Sequence, residues 1–139
     1  MFKNYDEKKF LSAMYLLTIS LFNFMTGLFF ITTDERIASP TYSKMAELMP
    51  LSIYGLMMLV SSVLLFCAIF TVNNTRHVFM FLGGMLGAFS IGLYASASTL
   101  GGVNIMLPSR YSLISVSCLI IAIAGGFGLW KMRKNTSQK

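Results

Sequence analysis

Few residues in this chain have the type and setting to do chemistry. Asn23 is the most polar side chain inside any apolar run, and with Ser20 and Gly27 it shares one face of a helix. An amide at membrane depth needs partners for its donors and acceptor, which points to the interior of a bundle and to interhelical hydrogen bonding. His77 is the only histidine. Zinc wants about four ligands, or three and a water, and the sequence around His77 offers no such set. The two cysteines, Cys67 and Cys118, lie in separate apolar runs and lack metal or redox spacing, so they read as small hydrophobes. Met45 and Met49 form an MxxxM pair of the kind that suits Cu(I), but the pair falls on the apolar face of a short amphipathic segment, where soft packing is the better account. A Ser-His-Asp set would need Asp6 or Asp34, and Asp34 lies across the expected membrane from His77. The sequence also lacks a phosphate-cradling glycine loop. The expectation is a protein that is not an enzyme and that uses no cofactor or metal.

The elements that hold these residues follow from composition. Of 139 residues, 55% are apolar and only 12% are charged, which leaves too few charges to cover the surface of a soluble protein. Four apolar runs, about 10–31, 51–72, 78–97 and 111–130, contain no Asp, Glu, Lys, Arg or His. Each is long enough to cross a bilayer core of about 30 Å at about 1.5 Å per residue. Continuous runs of this length predict helices rather than the short alternating strands of a barrel. The first run is too long for a cleavable leader and reads as a retained helix. The expected architecture is a single all-α transmembrane domain, 1–139, in the form of a four-helix bundle.

Charge sets the expected orientation. The net charge of +6 is concentrated at the ends, in Lys3, Lys8 and Lys9 and in Lys131, Arg133, Lys134 and Lys139. With both ends and the 73–77 link inside, eight Lys/Arg are internal and three external. The positive-inside rule then places both termini in the cytoplasm and the protein in the cytoplasmic membrane. Tyr54, Tyr94 and Tyr111 near the outer boundary, with Tyr15 and Trp130 near the inner one, fit the aromatic belts of such a protein. The basic clusters are short flanks of apolar segments. They point to the lipid bilayer as partner and not to nucleic acid.

In the outer loop, Ser39 and Pro40 read as an N-cap and first helical residue. Tyr42, Met45, Ala46 and Met49 then share a face, which predicts a short interfacial helix on the outer leaflet, ended by Pro50. A lid over the bundle is the other reading. Pro50 before Tyr54 and Pro108 before Tyr111 make the two halves resemble a duplicated in-out-in hairpin.

The third span carries the clearest pattern. Gly84, Ala88, Gly92 and Ser96 recur every four residues, with Gly83 and Gly87 beside them. The fourth span has a shorter version in Ala122 and Gly126. Such faces let backbones approach closely. They serve either packing within the chain or self-association, and the sequence leaves that choice open. Depth counted along the spans sets Asn23 level with Ser90 and with Ser117 beside Cys118, predicting an interior polar layer of Asn23, Ser90 and Ser117 in which Asn23 bonds Ser90 or a group near Ser117. Ser61 lies nearer the midplane and matches less well.

The four short spans, the basic tail from Lys131 to Lys134 and the stretch MPLSIYG at 49–55 resemble small polytopic membrane proteins of bacterial viruses and prophages, the holin-like group. That resemblance implies lateral oligomers that permeabilise a membrane, although holins generally have fewer spans. A homo-oligomer, or a complex with one membrane-protein partner as in accessory or immunity proteins, is expected. A small carrier or channel is a further alternative. Ion-coupled pumping is disfavoured by spans without ionisable side chains.

Overall fold

The computed structural model describes residues 3–32, 40–71, 74–101 and 106–136. Among these residues the regular structure is helical. α1 (Lys3–Thr32), α3 (Leu51–Phe70), α4 (Asn74–Gly101) and α5 (Met106–Thr136) are long, and α2 (Pro40–Leu48) is short. The four long helices each contain a stretch long and apolar enough to span a membrane. The chain is therefore a membrane protein built as a helical bundle. Its helices overrun the apolar runs. α4 begins at Asn74, so Arg76 and His77 belong to its first turns rather than to a link, and α5 begins before Pro108. Proline is tolerated in a first turn because its missing N–H has no intrahelical acceptor there. Pro50 caps the start of α3. The proposed Ser39 cap and Val72, the expected last residue of the second span, lie outside the described residues.

Consecutive long helices pack side by side, α1 on α3, α3 on α4 and most extensively α4 on α5, while α1 and α5 touch lightly. The start of α1, the end of α3, the start of α4 and the end of α5 share one end of the bundle, here the basic end. There Arg76 Nη2 donates to Ser12 Oγ at 3.1 Å.

Polarity does not drive side chains outward here: the small polar residues are buried with large ones such as Phe30, Tyr54 and Leu65, and many large apolar residues are exposed. Phe24, Met25, Leu56, Phe66, Met85, Phe89, Ile123 and Phe127 are exposed, whereas Ser20, Asn23, Ser61, Ser62, Ala88 and Ser90 are buried. Lipid solvates large apolar side chains as well as protein does, so apolarity alone does not decide burial. Exposed hydroxyls such as Thr18 and Thr32 bond carbonyls four residues back in α1, at 2.9 Å each, and need no partner in lipid.

α2 lies against the bundle at the opposite end, mainly on α4 and partly on α3. Met45 is fully buried and Met49 packs against the core, while Ala46 faces outward. The apolar face predicted to lie on the outer leaflet meets protein instead. The tyrosines expected in the outer aromatic belt also turn inward, while Tyr15 and Trp130 near the inner boundary are exposed. Tyr54 and Tyr94 are buried in the core, and Tyr111 packs against it. Tyr94 meets Tyr111 edge-on at 4.4 Å between ring centroids and Phe30 at 5.4 Å, and Phe30 meets Tyr42 at 6.2 Å. Rings from α1, α2, α4 and α5 thus form one edge-to-face cluster. Tyr42, outside the spans, has its phenol pKa raised, first by burial and then by proximity to Tyr111.

Candidate functional site

Two features could carry function: a polar layer inside the bundle and the seam between α4 and α5. The layer starts with a close crossing of α1 and α3. A methyl group at Gly27 would stand 2.9 Å from the Gly55 carbonyl oxygen, and one at Gly55 would stand 2.7 Å from that of Gly27. Only hydrogen fits at that approach. In the same antiparallel register, Ser20 Oγ donates to the Ser62 carbonyl at 2.9 Å.

Asn23, fully buried, is placed by this register beside Ser61. Its Nδ2 donates to Ser61 Oγ at 3.0 Å, and Ser61 Oγ donates to the Gly83 carbonyl at 2.7 Å. A carbonyl can only accept, so the single Ser61 proton goes to Gly83. Ser61 must then accept from Asn23, which fixes the way the amide faces. Cys118 Sγ lies 4.0 Å from Nδ2. Gly87 leaves the space for these groups, since a methyl there would stand 2.9 Å from both Asn23 Nδ2 and Ser61 Oγ.

The partner of Asn23 is therefore Ser61, with Cys118, the expected group next to Ser117, also in reach, and not Ser90 or the Ser117 hydroxyl. The Ser90 hydroxyl bonds the Leu86 carbonyl at 2.9 Å, and the Ser117 hydroxyl bonds that of Leu113 at 3.0 Å. Both are taken up one turn back in their own helices. Depth counted along apolar runs assumes level helices. The Gly27–Gly55 crossing sets the real offset between α1 and α3, and it brings Ser61 level with Asn23.

Along the α4/α5 seam the small residues have different fates. A methyl at Gly84 would lie 2.7 Å from the Ala122 nitrogen and the Cys118 carbonyl oxygen, and one at Gly125 would lie 2.6 Å from the Phe81 nitrogen. Ala88 and Ala122 are buried here too. Gly83 turns to α3, where a methyl would meet Leu65 Cγ at 3.0 Å. Gly126 is looser, with Phe81 Cδ2 at 3.4 Å from such a methyl. Gly92 meets only Ser115 Oγ, at 3.3 Å. Beyond it α4 and α5 stay in contact through Tyr94 and Tyr111, at 4.4 Å between ring centroids, and a surface groove runs beside that contact. Gly92, Ser96, Thr99, Ser112, Ser115 and Val116 line an open groove of about 280 Å³. Ser96 and Thr99 bond carbonyls of α4 itself, and Ser115 Oγ donates to the Ala88 carbonyl at 2.9 Å.

Sequence reasoning missed Gly55, whose role depends on which helix crosses it. It also missed the groove, whose two walls come from different helices. The only histidine is remote from the buried thiol. His77 is at the basic end, its ring against the position a methyl on Gly128 would occupy, while Cys118 is in the polar layer. Among the described residues, no three His, Cys, Asp or Glu side chains converge as metal ligands.

The fold and these sites define a class: polytopic α-helical membrane proteins whose helices join through small-residue crossings. No protein-family model, curated protein or solved structure matches the chain, so the assignment ends at that class.

Proposed function

We propose that this protein acts without enzymatic chemistry, by lateral helix association in the cytoplasmic membrane, with both termini in the cytoplasm and a second copy of itself as partner. The supporting observation is the groove at Gly92, Ser96, Thr99, Ser112, Ser115 and Val116. It continues the small-residue stripe of α4 beyond the close backbone contacts at Gly84, with α5 lining its other wall through Ser112, Ser115 and Val116. Small and hydroxyl-bearing side chains facing lipid give a neighbouring helix close backbone approach and acceptors for weak hydrogen bonds. A packed bundle centre, with Asn23, Met58, Ser61, Leu65 and Cys118 fully buried, favours a permeation path between copies over one through a single copy. In its finer form the reading is holin-like, with oligomers that permeabilise the membrane. An accessory protein that binds one membrane partner would use the same groove.

Ser96→Cys in a Cys67→Ser background tests the reading. Oxidation in native membranes should give a homodimer, and adding Gly92→Leu should abolish it. A cross-link to a different protein would favour the accessory reading, and no cross-link at all would defeat both. Depolarisation on expression, lost in Gly92→Leu, is the expected outcome for the holin-like form.

A further inference from the structure

The α4/α5 seam has a second groove, at the other end and of opposite character. Phe81, Met85, Leu119, Ile123, Phe127 and Trp130 line most of an apolar groove of about 490 Å³. Leu119 to Trp130 spans eleven residues, or about 16 Å of helix. That is roughly half of a hydrocarbon core of about 30 Å, or one leaflet. The groove runs to the basic end.

The groove's mouth is built from cations. Trp130 lines the groove, and Lys134 Nζ sits 5.7 Å from its ring centroid, which holds a charge beside the opening. Lys131 lies one turn beyond Phe127. On α4, His77 lies one turn before Phe81, but its ring packs against Gly128 with Nδ1 buried, so the lysines of α5 supply the charge at the opening. Neither α4 nor α5 contains Asp or Glu. An apolar slot one leaflet long, ending in lysines held at headgroup height, matches a lipid with a chain and a negative phosphate.

We infer that this groove is a binding site for one anionic phospholipid, its acyl chain along Phe81, Leu119, Ile123 and Phe127 and its phosphate at Lys131 and Lys134. The site is independent of the self-association groove, which lies toward the α2 end.

Native mass spectrometry of the full chain in detergent tests this, with phosphatidylglycerol and phosphatidylcholine of identical chains as probes. Phosphatidylglycerol should bind one per chain and more tightly than phosphatidylcholine. Lys131→Gln with Lys134→Gln should weaken it by about 30-fold, roughly fivefold per charge. Ile123→Trp, which fills the slot, should weaken both lipids while leaving the thermal unfolding midpoint near that of the wild type. Equal retention of the two lipids by the wild type overturns the site, and that comparison stands even if a variant misfolds. Undiminished phosphatidylglycerol binding in the folded double-lysine variant overturns it too. Displacement of phosphatidylglycerol by equimolar glycerol phosphate would show an anion site that makes no use of the slot, and would also overturn it.

Discussion

The two halves of the α4/α5 seam are made from the same kinds of residue and have opposite structures. Around Gly84, Ala122 and Gly125 the backbones are so close that a methyl group would stand 2.6–2.7 Å from main-chain atoms. Around Gly92 and Ser96 the stripe continues at the same four-residue spacing, but a methyl at Gly92 would meet only Ser115 Oγ, at 3.3 Å, and a surface groove runs along the seam. A small-xxx-small pattern therefore says where a backbone can approach, not which backbone does so. The half around Gly84 and Gly125 packs this chain's own helices, and the half around Gly92 is the one proposed above to engage another copy.

The largest expected effect breaks the half around Gly84. Gly84→Leu must displace the Ala122 and Cys118 backbone, and overpacking of this kind costs about 1–3 kcal/mol or more. Thermal unfolding in detergent should show a destabilised or unfolded bundle. A midpoint equal to that of the wild type would mean that the seam is not closed there. Gly125→Ala, with its methyl against the Phe81 nitrogen and the His77 carbonyl oxygen, should act in the same direction and less strongly.

Gly92→Leu sharpens the comparison. It should leave the unfolding midpoint within about 0.5 kcal/mol of the wild type, the range of ordinary surface changes, and yet remove the Ser96→Cys homodimer. Loss of stability equal to that of Gly84→Leu would erase the distinction between the halves.

Smaller effects are expected in the polar layer. A double-mutant cycle of Asn23→Leu with Ser61→Ala should give a coupling near 0.6 kcal/mol, up to about 1.7. The same cycle with Ser90→Ala should give a coupling indistinguishable from zero, because the Ser90 hydroxyl is bonded within α4. Strong coupling to Ser90 would contradict the geometry of the layer.

The spans were legible in the sequence because hydropathy over twenty residues reports directly on the cost of placing charge in lipid. α2 was legible from the spacing of Tyr42, Met45 and Met49, but the destination of that face was not. An apolar face suits lipid and protein equally, and Met45 reaches the core only because α2 packs on α4. Tyr54 and Tyr94 misled in the same way. Tyrosine near a span end suits a headgroup belt, and here it suits a cluster under α2 equally well. The partner of Asn23 was out of reach for a different reason. Its level relative to α3 depends on the Gly27–Gly55 crossing, a contact between helices that no count along one helix contains.

That crossing has a consequence for how the protein is made. Gly27, Gly55, the Ser20–Ser62 bond and the Asn23–Ser61 bond all precede residue 71. A ribosome releases the chain from its N-terminus, so α1 and α3 can pair as a finished hairpin before α4 leaves the exit tunnel. At that stage Ser61 lies beside Asn23 without the Gly83 carbonyl, which is synthesised 22 residues later, so its proton is not yet committed and the direction of their bond is not yet set. The incoming α4 supplies that acceptor and the empty Gly87 surface together. Docking of the third span in the correct register is thus read out by one hydroxyl. We expect that chains stalled on the ribosome after α3 has inserted will already cross-link between cysteines placed at positions 20 and 62, and absence of that cross-link would put hairpin formation after α4 insertion.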